Sequence, residues 1–403
     1  MTRPVVLTAS LMLLVSTIGC ADPRMITTVD ADMAVVVEGN NGFAVDLYQE
    51  AALEPGNVFF SPFSITAALS MVYAGAEGDS EAEVAAAMGV DDEALWHDNL
   101  GRLFDDLVGK HHRAYTLNGA NAVWGQDSLE LVPAFEDIMV DAYNAPVERM
   151  DISGDPDAAT DEINGWVSKQ TRGFIPELFD KGDISAATMV VLCNAVYFEG
   201  DWAEQFEEDN TSDAAFRTLD GGSVQAPMMH NTADYGYADI DGLQIAELPY
   251  EGDELSMVVL LPETDDGIYD LEADLTAEAL AGWMDEIQTG EVTMTLPSFT
   301  MDYELPLKAT LRSLGIESMF EPGMADLSGM VPGGGLFIEA AKHKAYVDVF
   351  EQGTRAAAAT GFGADLTAMP DAFEFTADHT FVFLIRDMLT GSILFMGRVE
   401  DPS

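Results

Sequence analysis

The sequence predicts an α+β protein, because helical and strand-like patterns occupy different parts of the chain. Helical spacing dominates the first third, as in Phe43, Leu47 and Ala51, which predict a helix over 41–52. Strand-like runs dominate the rest, and several are apolar at successive positions, which is typical of central strands covered on both faces. The two kinds of element do not alternate regularly, so a strictly alternating α/β fold is disfavoured.

The other elements follow from the same patterns. Ser61-Pro62 is a reasonable helix start and precedes a predicted helix over 65–73. Further helices are predicted over 159–170 and 306–314. Strands are predicted over 118–124, 189–198, 255–261, 292–297, 336–350 and 381–385. Because no linker, repeat or change in composition interrupts residues 37–403, we expect one large domain rather than two.

Composition indicates a globular protein with an unusually acidic surface. The 403 residues include 71 acidic and 17 basic side chains, for a net charge of −54, and 48% of the residues are hydrophobic. No cluster of lysine or arginine is present to bind phosphates, so we expect no nucleic-acid partner. The scattered acidic residues favour solubility and a monomer. Adaptation to a salt-rich habitat is an alternative explanation of the same charge.

The N-terminal residues predict an export signal. Arg3 precedes an uncharged apolar run over 5–18, which is too short for a comfortable transmembrane helix and fits a signal peptide over 1–19. The run ends in Ser16-Thr17-Ile18-Gly19-Cys20, which resembles the lipobox of bacterial lipoproteins, and this resemblance implies lipidation of Cys20 and a tether over 20–36. We expect an exported protein, membrane-anchored on the periplasmic or cell-surface side. The alternative is an ordinary secretory signal with an incidental cysteine.

No motif for catalysis, metals or cofactors is recognisable in the sequence. The chain has no Gly-x-Ser-x-Gly, His-Glu-x-x-His, Cys-x-x-Cys or phosphate-loop motif, and the Asp151–Asp155 stretch lacks the glycine spacing of a calcium loop. We therefore expect neither an enzyme nor a metalloprotein, and no cofactor. Cys193 lies in an apolar run and is expected to be a buried thiol without a disulfide.

One segment is unusual in composition. It follows a strand pattern, is small and nearly uncharged, and reads Glu351-Gln352-Gly353-Thr354-Arg355-Ala356-Ala357-Ala358-Ala359-Thr360-Gly361-Phe362-Gly363-Ala364. Four alanines in a row favour a helix, whereas the later glycines favour a loop. A third interpretation is a segment able to enter a sheet, with Thr354, Ala356, Ala358 and Thr360 on one face and Arg355 facing outward.

This segment resembles the hinge of inhibitory serpins, and the rest of the chain agrees with that resemblance in order and spacing. The matching stretches are Asn57-Val58-Phe59-Phe60-Ser61-Pro62-Phe63-Ser64-Ile65, Asn194-Ala195-Val196-Tyr197-Phe198-Glu199-Gly200-Asp201-Trp202, Glu247-Leu248-Pro249-Tyr250, His343-Lys344-Ala345 and Asp378-His379-Thr380-Phe381. The resemblance implies the serpin fold: helices packed around a large central mixed sheet, smaller sheets, and an exposed reactive-centre loop.

The resemblance also implies a function, that of a suicide substrate. A serine protease, or a cysteine protease, would cleave the loop and be trapped as a covalent acyl complex when the loop enters the central sheet. The implied hinge residues are Glu351, Gly353, Thr354, Arg355, Ala356, Ala357, Ala358, Ala359 and Thr360, although the family usually has Glu at the position of Arg355. The implied residues of the regions that open to admit the loop, the shutter and the breach, are Ser61, Ser64, Asn194, Trp202 and His343.

The family's usual loop length places the cleaved bond at Thr367-Ala368, with Leu366-Thr367 as the other candidate. A threonine before the bond favours an elastase-like or subtilisin-like protease, and a leucine favours a chymotrypsin-like one. The alternative function is that of a non-inhibitory serpin, which binds, carries or chaperones another molecule. The alanines of the hinge argue against that alternative, because non-inhibitory relatives tend to carry bulky or charged residues there.

Overall fold

A computed structural model describes residues 26–108, 114–143, 145, 147–354 and 372–403. The helices of this part of the chain lie mostly in its first half. They are α1 (Ala31–Ala51), α2 (Pro62–Tyr73), α3 (Gly78–Met88), α4 (Glu93–Val108), α5 (Pro133–Asp141), α6 (Pro156–Gln170), α7 (Ile268–Asp274), α8 (Ala277–Asp285) and α9 (Leu307–Ser313).

The strands form two mixed sheets. They are β1 (Val58–Phe60), β2 (Tyr115–Gln126), β3 (Glu148–Met150), β4 (Val190–Asp201), β5 (Ser212–Arg217), β6 (Ser223–Ile240), β7 (Leu243–Pro249), β8 (Leu255–Pro262), β9 (Gln288–Pro297), β10 (Phe299–Leu305), β11 (Ala340–Phe350), β12 (Gly353–Thr354), β13 (Phe373–Thr376), β14 (Phe381–Asp387) and β15 (Ile393–Val399). A nine-stranded sheet has the order β1-β15-β14-β8-β7-β6-β9-β13, with β5 paired to β6. A six-stranded sheet has the order β10-β11-β12-β4-β2-β3.

The predicted α+β class is confirmed, with helices packed on two mixed sheets. Each predicted strand coincides with an observed one, and β8, β14 and β15 are buried at nearly every position, as expected for covered strands. The ring of Phe59 stacks on Phe383 and Phe395, at centroid distances of 5.7 and 5.5 Å. These rings fasten β1 to its neighbours within the core.

Helix α2 begins where Ser61-Pro62 predicts a helix start. The Ser61 hydroxyl oxygen accepts a hydrogen bond from the backbone N–H of Ser64, and Pro62 occupies the first helical turn, where its missing N–H costs nothing. Every residue of α2 is buried, so this helix lies inside the fold. Its N-cap, Ser61, and a residue of its first turn, Ser64, contact the six-stranded sheet and belong to the site described next.

The first helix begins earlier than predicted, at Ala31 instead of near Asn41. Helix α1 starts at Ala31, after Asp30 caps it by accepting from the backbone N–H of Met33. Met33 and Val36 are buried in the main core. Residues 31–36 are therefore part of the folded domain, because their apolar side chains continue the buried face of the helix.

Candidate functional site

The site lies along the contact between β4 and β11, the two central strands of the six-stranded sheet, which we call the seam. The strands are parallel and directly paired from Val191↔Ala340 to Tyr197↔Tyr346. Side chains of β11 alternate between a buried inner face and a partly covered outer face, whereas β4 is buried on both faces from Val190 to Phe198. The seam is thus closed by direct strand pairing along most of its length.

At one end of the seam the chain folds back into it. Strand β11 ends at Phe350, Glu351 and Gln352 turn the chain, and Gly353–Thr354 return as β12 between β11 and β4. Gly353 is opposite Phe350 on one side and Asp201 on the other. Thr354 is likewise opposite Val349 and Gly200. A short strand antiparallel to both neighbours therefore already occupies the mouth of the seam.

The backbone approaches so closely at Gly353 that no side chain fits. A Cβ atom at this position would lie 2.2 Å from the carbonyl oxygen of Gly200 and 2.7 Å from the Cα of Asp201. Both neighbours are backbone atoms and cannot swing away. The predicted hinge glycine is therefore required sterically, by the fit of β12 against β4.

Trp202 and Tyr250 hold the hinge in place. The Trp202 indole N–H donates to the carbonyl of Phe350 at 3.0 Å, and the Trp202 backbone N–H donates to the carbonyl of Gln352 at 2.9 Å. The Tyr250 ring stacks on the indole at a centroid distance of 4.6 Å. Its hydroxyl lies 2.8 Å from the Thr354 hydroxyl, and both residues are fully buried. Burial also raises the pKa of Tyr250, so the phenol remains neutral.

Glu351 fastens the turn that precedes the hinge. Its carboxylate accepts from the Thr211 hydroxyl at 2.7 Å, and its carbonyl accepts from the backbone N–H of Phe206 at 2.9 Å. The side chain of Gln352 donates to Glu208 at 2.9 Å. The turn is therefore anchored to the segment that follows β4, on the same side of the seam as Trp202.

A buried polar cluster joins the two strands near the middle of the seam. Asn194 on β4 and His343 on β11 are register partners, and His343 Nδ1 is hydrogen-bonded to Asn194 Oδ1. The Asn194 amide donates to the carbonyl and hydroxyl oxygens of Ser64, at 2.5 and 2.9 Å. The backbone N–H of Ser61 donates to His343 Nε2 at 3.0 Å, and the Ser61 hydroxyl donates to the Leu394 carbonyl at 2.6 Å.

These contacts fix the protonation of His343. Because Nε2 accepts a hydrogen bond from a backbone N–H, the proton of the neutral ring is on Nδ1, which donates to Asn194. Complete burial lowers the pKa of His343 to about 3. The imidazole is therefore neutral at physiological pH and can satisfy both of its partners.

An aromatic stack covers the seam from its outer face. The ring of Phe174, which follows α6, stacks on Tyr197 of β4 at 4.8 Å and on Tyr346 of β11 at 5.3 Å. The two tyrosines are the last directly paired residues before the hinge. One ring thus bridges both strands at the point where the seam begins to part.

The structure brings the predicted site residues together in two groups. Ser61, Ser64, Asn194 and His343 form the polar cluster, and Trp202, Glu351, Gly353 and Thr354 form the hinge contacts. Several predicted residues lie outside the described part of the chain: Cys20, Arg355, Ala356, Ala357, Ala358, Ala359, Thr360, Leu366, Thr367 and Ala368.

Sequence reasoning did not assign roles to Tyr250 and Phe174. Tyr250 belongs to Glu247–Tyr250, a stretch that resembles the serpins, but nothing local in the sequence shows that its hydroxyl reaches Thr354. Phe174 is a single aromatic residue after a helix, and only the fold places it over the seam.

Among the described residues, no group of histidine, cysteine, aspartate or glutamate side chains is arranged to hold a metal ion. The expected burial of Cys193 is confirmed, and it is a free thiol whose pKa burial raises. No described helix combines the length and apolar character needed to cross a membrane.

These features define a class of protein in which a short return strand lies between two parallel strands at one end of a mixed sheet. The profile described as Serpin (serine protease inhibitor) matches residues 38–402. Leukocyte elastase inhibitor of Bos taurus is 39% identical over 373 residues, which are 90% of this chain and 98% of that protein. The chain belongs to the serpin family.

Solved structures of similar fold agree with this assignment. Uncleaved ovalbumin has a TM-score of 0.83 at 26% identity, over 91% of this chain and 100% of the other. Human thyroxine-binding globulin complexed with thyroxine also has a TM-score of 0.83, at 28% identity, over 93% of this chain and 100% of the other.

Proposed function

We propose that this protein inhibits a serine protease as a suicide substrate. The protease attacks the loop between Thr354 and Ala372 and forms an acyl-enzyme, and the freed end of the loop then enters the seam as a new strand. The bound protease is carried along and distorted, so that deacylation stalls. A cysteine protease that forms an analogous thioester is a second class of target.

The observation that carries this proposal is the position of β12 in the mouth of the seam. Gly353 and Thr354 already lie between β4 and β11, antiparallel to both. A longer strand that continues from Thr354 would gain hydrogen bonds on both edges, on the order of ten at about 1 kcal/mol each. That sum is comparable to the 5–15 kcal/mol that stabilises a typical domain, so insertion can drive distortion of a bound protease.

The loop sequence supports an elastase-like, subtilisin-like or chymotrypsin-like target. The bond expected to be cleaved is Thr367-Ala368, with Leu366-Thr367 as the other candidate. Neither bond follows arginine or lysine, which disfavours a trypsin-like protease. The relative named leukocyte elastase inhibitor agrees with this preference.

We also propose that the inhibitor is exported and lipidated at Cys20. The support is in the sequence, where an uncharged apolar run is followed by Gly19-Cys20. Globomycin, which blocks lipoprotein signal cleavage, would cause the precursor to accumulate. A Cys20→Ala variant that still partitions with membranes would contradict the lipid anchor.

The test of inhibition is a denaturing gel of residues 21–403 after mixing with an elastase-like, a subtilisin-like and a chymotrypsin-like protease. We expect a band at the summed mass that survives denaturant, and mass spectrometry of the released peptide identifies the cleaved bond. A Thr354→Arg variant is the matched control, because a charged side chain at this fully buried hinge position obstructs insertion. It should be cleaved without forming the band.

The gel also tests the alternative, a serpin that binds a small molecule or another protein. The similar fold of thyroxine-binding globulin, solved with thyroxine, supports that second candidate. If the loop is only clipped and all three proteases stay active, the suicide mechanism is contradicted for those classes, and the binding function becomes the better proposal.

A further inference from the structure

We propose that Glu199 and Asp348 form a receiving site for Arg355 when the loop enters the seam. We call these two carboxylates, one on β4 and one on β11, the carboxylate slot. The inference rests on the proposed insertion of the loop and specifies which described residues the first inserted side chain meets. It concerns the state after cleavage, and its occupant is the chain segment that continues from Thr354.

The register of β12 determines the position that Arg355 will take. Gly353 pairs with Asp201 and Thr354 with Gly200, so the next residue of an antiparallel strand pairs with Glu199. On the other side, Gly353 pairs with Phe350 and Thr354 with Val349, so the next residue pairs with Asp348. Both neighbours of Arg355 in the extended strand are therefore acidic.

The parallel register of the seam agrees with this position. Direct pairing of β4 with β11 ends at Tyr197↔Tyr346, and continuing that register by two residues brings Glu199 level with Asp348. Glu199 and Asp348 therefore lie between Tyr197↔Tyr346, which is the last direct pair of β4 and β11, and the position of Thr354. The slot is thus the part of the seam that the inserting strand enters directly after the hinge.

In the inserted strand, Arg355 would lie on the same face of the sheet as both carboxylates. Thr354 is buried on the inner face, so the next side chain of an extended strand would point to the outer face. Glu199 and Asp348 are partly exposed and alternate with the buried residues Phe198, Val347 and Val349, which places them on that outer face too. Directly opposite residues on one face have Cβ atoms about 4.5–5.5 Å apart, which an arginine side chain spans easily.

The chemistry of the slot suits a guanidinium group. The Glu199 carboxylate, 21% exposed, already binds Arg172 at 2.6 Å and accepts from the Tyr197 hydroxyl at 3.2 Å. Asp348 accepts from the Thr300 hydroxyl at 2.8 Å. Like charges that face each other across a sheet destabilise it, and an arginine between them converts that repulsion into attraction.

The slot therefore makes sense of an arginine at a position where the serpins usually have glutamate. A glutamate here would enter between two carboxylates and be repelled by both. Arginine is matched to this particular sheet, and we infer that the pairing speeds the first step of insertion. Slower insertion would give the acyl-enzyme more time to hydrolyse and release active protease.

Three variants test this: Arg355→Glu, Asp348→Lys, and the two combined. The readouts are the stoichiometry of inhibition and the rise in melting temperature when a subtilisin-like protease cuts the loop. We expect Arg355→Glu to raise the number of molecules cleaved without trapping, per complex formed, about twofold to fivefold, as expected for the loss of a partly exposed ion pair. The combined variant should reverse at least about half of that rise.

Asp302→Asn is the matched control, because Asp302 lies on the neighbouring strand β10, pairs in register with Tyr346 and contacts Lys344. We expect it to leave the stoichiometry unchanged. If the unmodified protein gains no heat stability on cleavage, insertion itself is refuted and the proposed function fails with the slot. If it gains stability but Arg355→Glu inhibits as well as the unmodified protein, the slot alone is refuted.

Discussion

The side chains of His343 and Asn194 are hydrogen-bonded to each other across the seam, from register-paired positions on two parallel strands. A new strand between β4 and β11 would separate these positions by a full strand width, about 5 Å on each side. The bond therefore belongs to the closed sheet alone. It stabilises the uncleaved protein and, in the proposed mechanism, would have to break before the loop could pass the middle of the seam.

We predict that His343→Ala lowers the stability of the uncleaved protein by about 2–4 kcal/mol. The change removes the acceptor of the buried Ser61 N–H and a donor to Asn194 Oδ1, and the loss of a buried hydrogen-bond partner costs about 1–3 kcal/mol. Urea unfolding measures the effect. His230→Ala is the control, since His230 contacts Thr295 at 2.8 Å in a partly buried position away from the seam. Equal losses in both variants would contradict a special role for His343.

We predict that His343→Ala also increases the amount of protein that is cleaved without forming a covalent complex. In the proposed mechanism, the cluster that connects α2 with both strands would guide the opening of the sheet, and the loss of His343 would disturb that step. The fraction of loop that is cleaved without complex formation is read from the denaturing gel. An unchanged stoichiometry of inhibition would count against this role.

We predict that stability falls as the pH is lowered from 7.5 to 5. Burial lowers the pKa of His343 to about 3 and that of His97 to about 4, so in the unfolded chain both bind protons at a higher pH than in the folded one. Their contribution is complete above the unfolded pKa of about 6.5 and is lost as the pH falls towards the folded values. Each histidine should account for about 2 kcal/mol between pH 7.5 and 5.

Urea unfolding of the wild type and of His343→Gln at both pH values measures this contribution. The variant should lose about 2 kcal/mol less than the wild type over the interval, because one titrating group has been removed. Identical pH dependences would show that His343 is not held neutral by the fold.

We predict that Gly353→Ala expels the hinge from the seam and turns the inhibitor towards a substrate. The added Cβ would lie 2.2 Å from the Gly200 carbonyl, so β12 has to leave its position. At least about twofold more cleaved protein should appear on the gel. Gly282→Ala, in α8 with no heavy atom within 4 Å of the added Cβ, is the control and should behave as wild type. Normal inhibition by Gly353→Ala would overturn the steric argument.

We predict that Phe174→Ala destabilises the uncleaved form but leaves the cleaved form unaffected. An inserted strand separates Tyr197 from Tyr346, so Phe174 can bridge both rings only while the seam is closed. The expected loss is about 1–2 kcal/mol in the uncleaved protein. Thermal melts before and after loop cleavage provide the comparison. Phe104→Ala, which loses a stack on Phe63 elsewhere, should lower both forms alike.

The sequence predicted several buried strands but missed others, such as the 18-residue β6, in which exposed and buried residues are mixed. Strands such as β8 and β14 are buried on both faces, so an uninterrupted apolar run reveals them. Helix α4 was missed, although Trp96, Leu100, Leu103 and Leu107 are buried at helical spacing, because charged residues and a glycine separate them. The start of α1 was missed because its helical spacing was recognised only from Asn41 onward.

The site was predicted only as far as resemblance carries residues one by one. Ser64, Asn194 and His343 were expected in one hydrogen-bonded cluster, and the structure places them in contact. The geometry that gives them a role depends on the register between β4 and β11, which comes from the tertiary fold and from no local pattern. Tyr250 and Phe174 reach the hinge and seam from distant parts of the chain, so no spacing in the sequence could reveal their contacts.

The labelling rate of the buried Cys193 thiol can report local opening of the sheet. In residues 21–403 it is the single thiol, and it lies on β4 in a small apolar cluster, packed with Ile163 and Val167 of α6. Because Cys193 is fully buried, a thiol reagent can reach it only when the surrounding structure opens, as when α6 moves away from the sheet. The rate of labelling therefore reports those openings in the uncleaved protein, without any protease present.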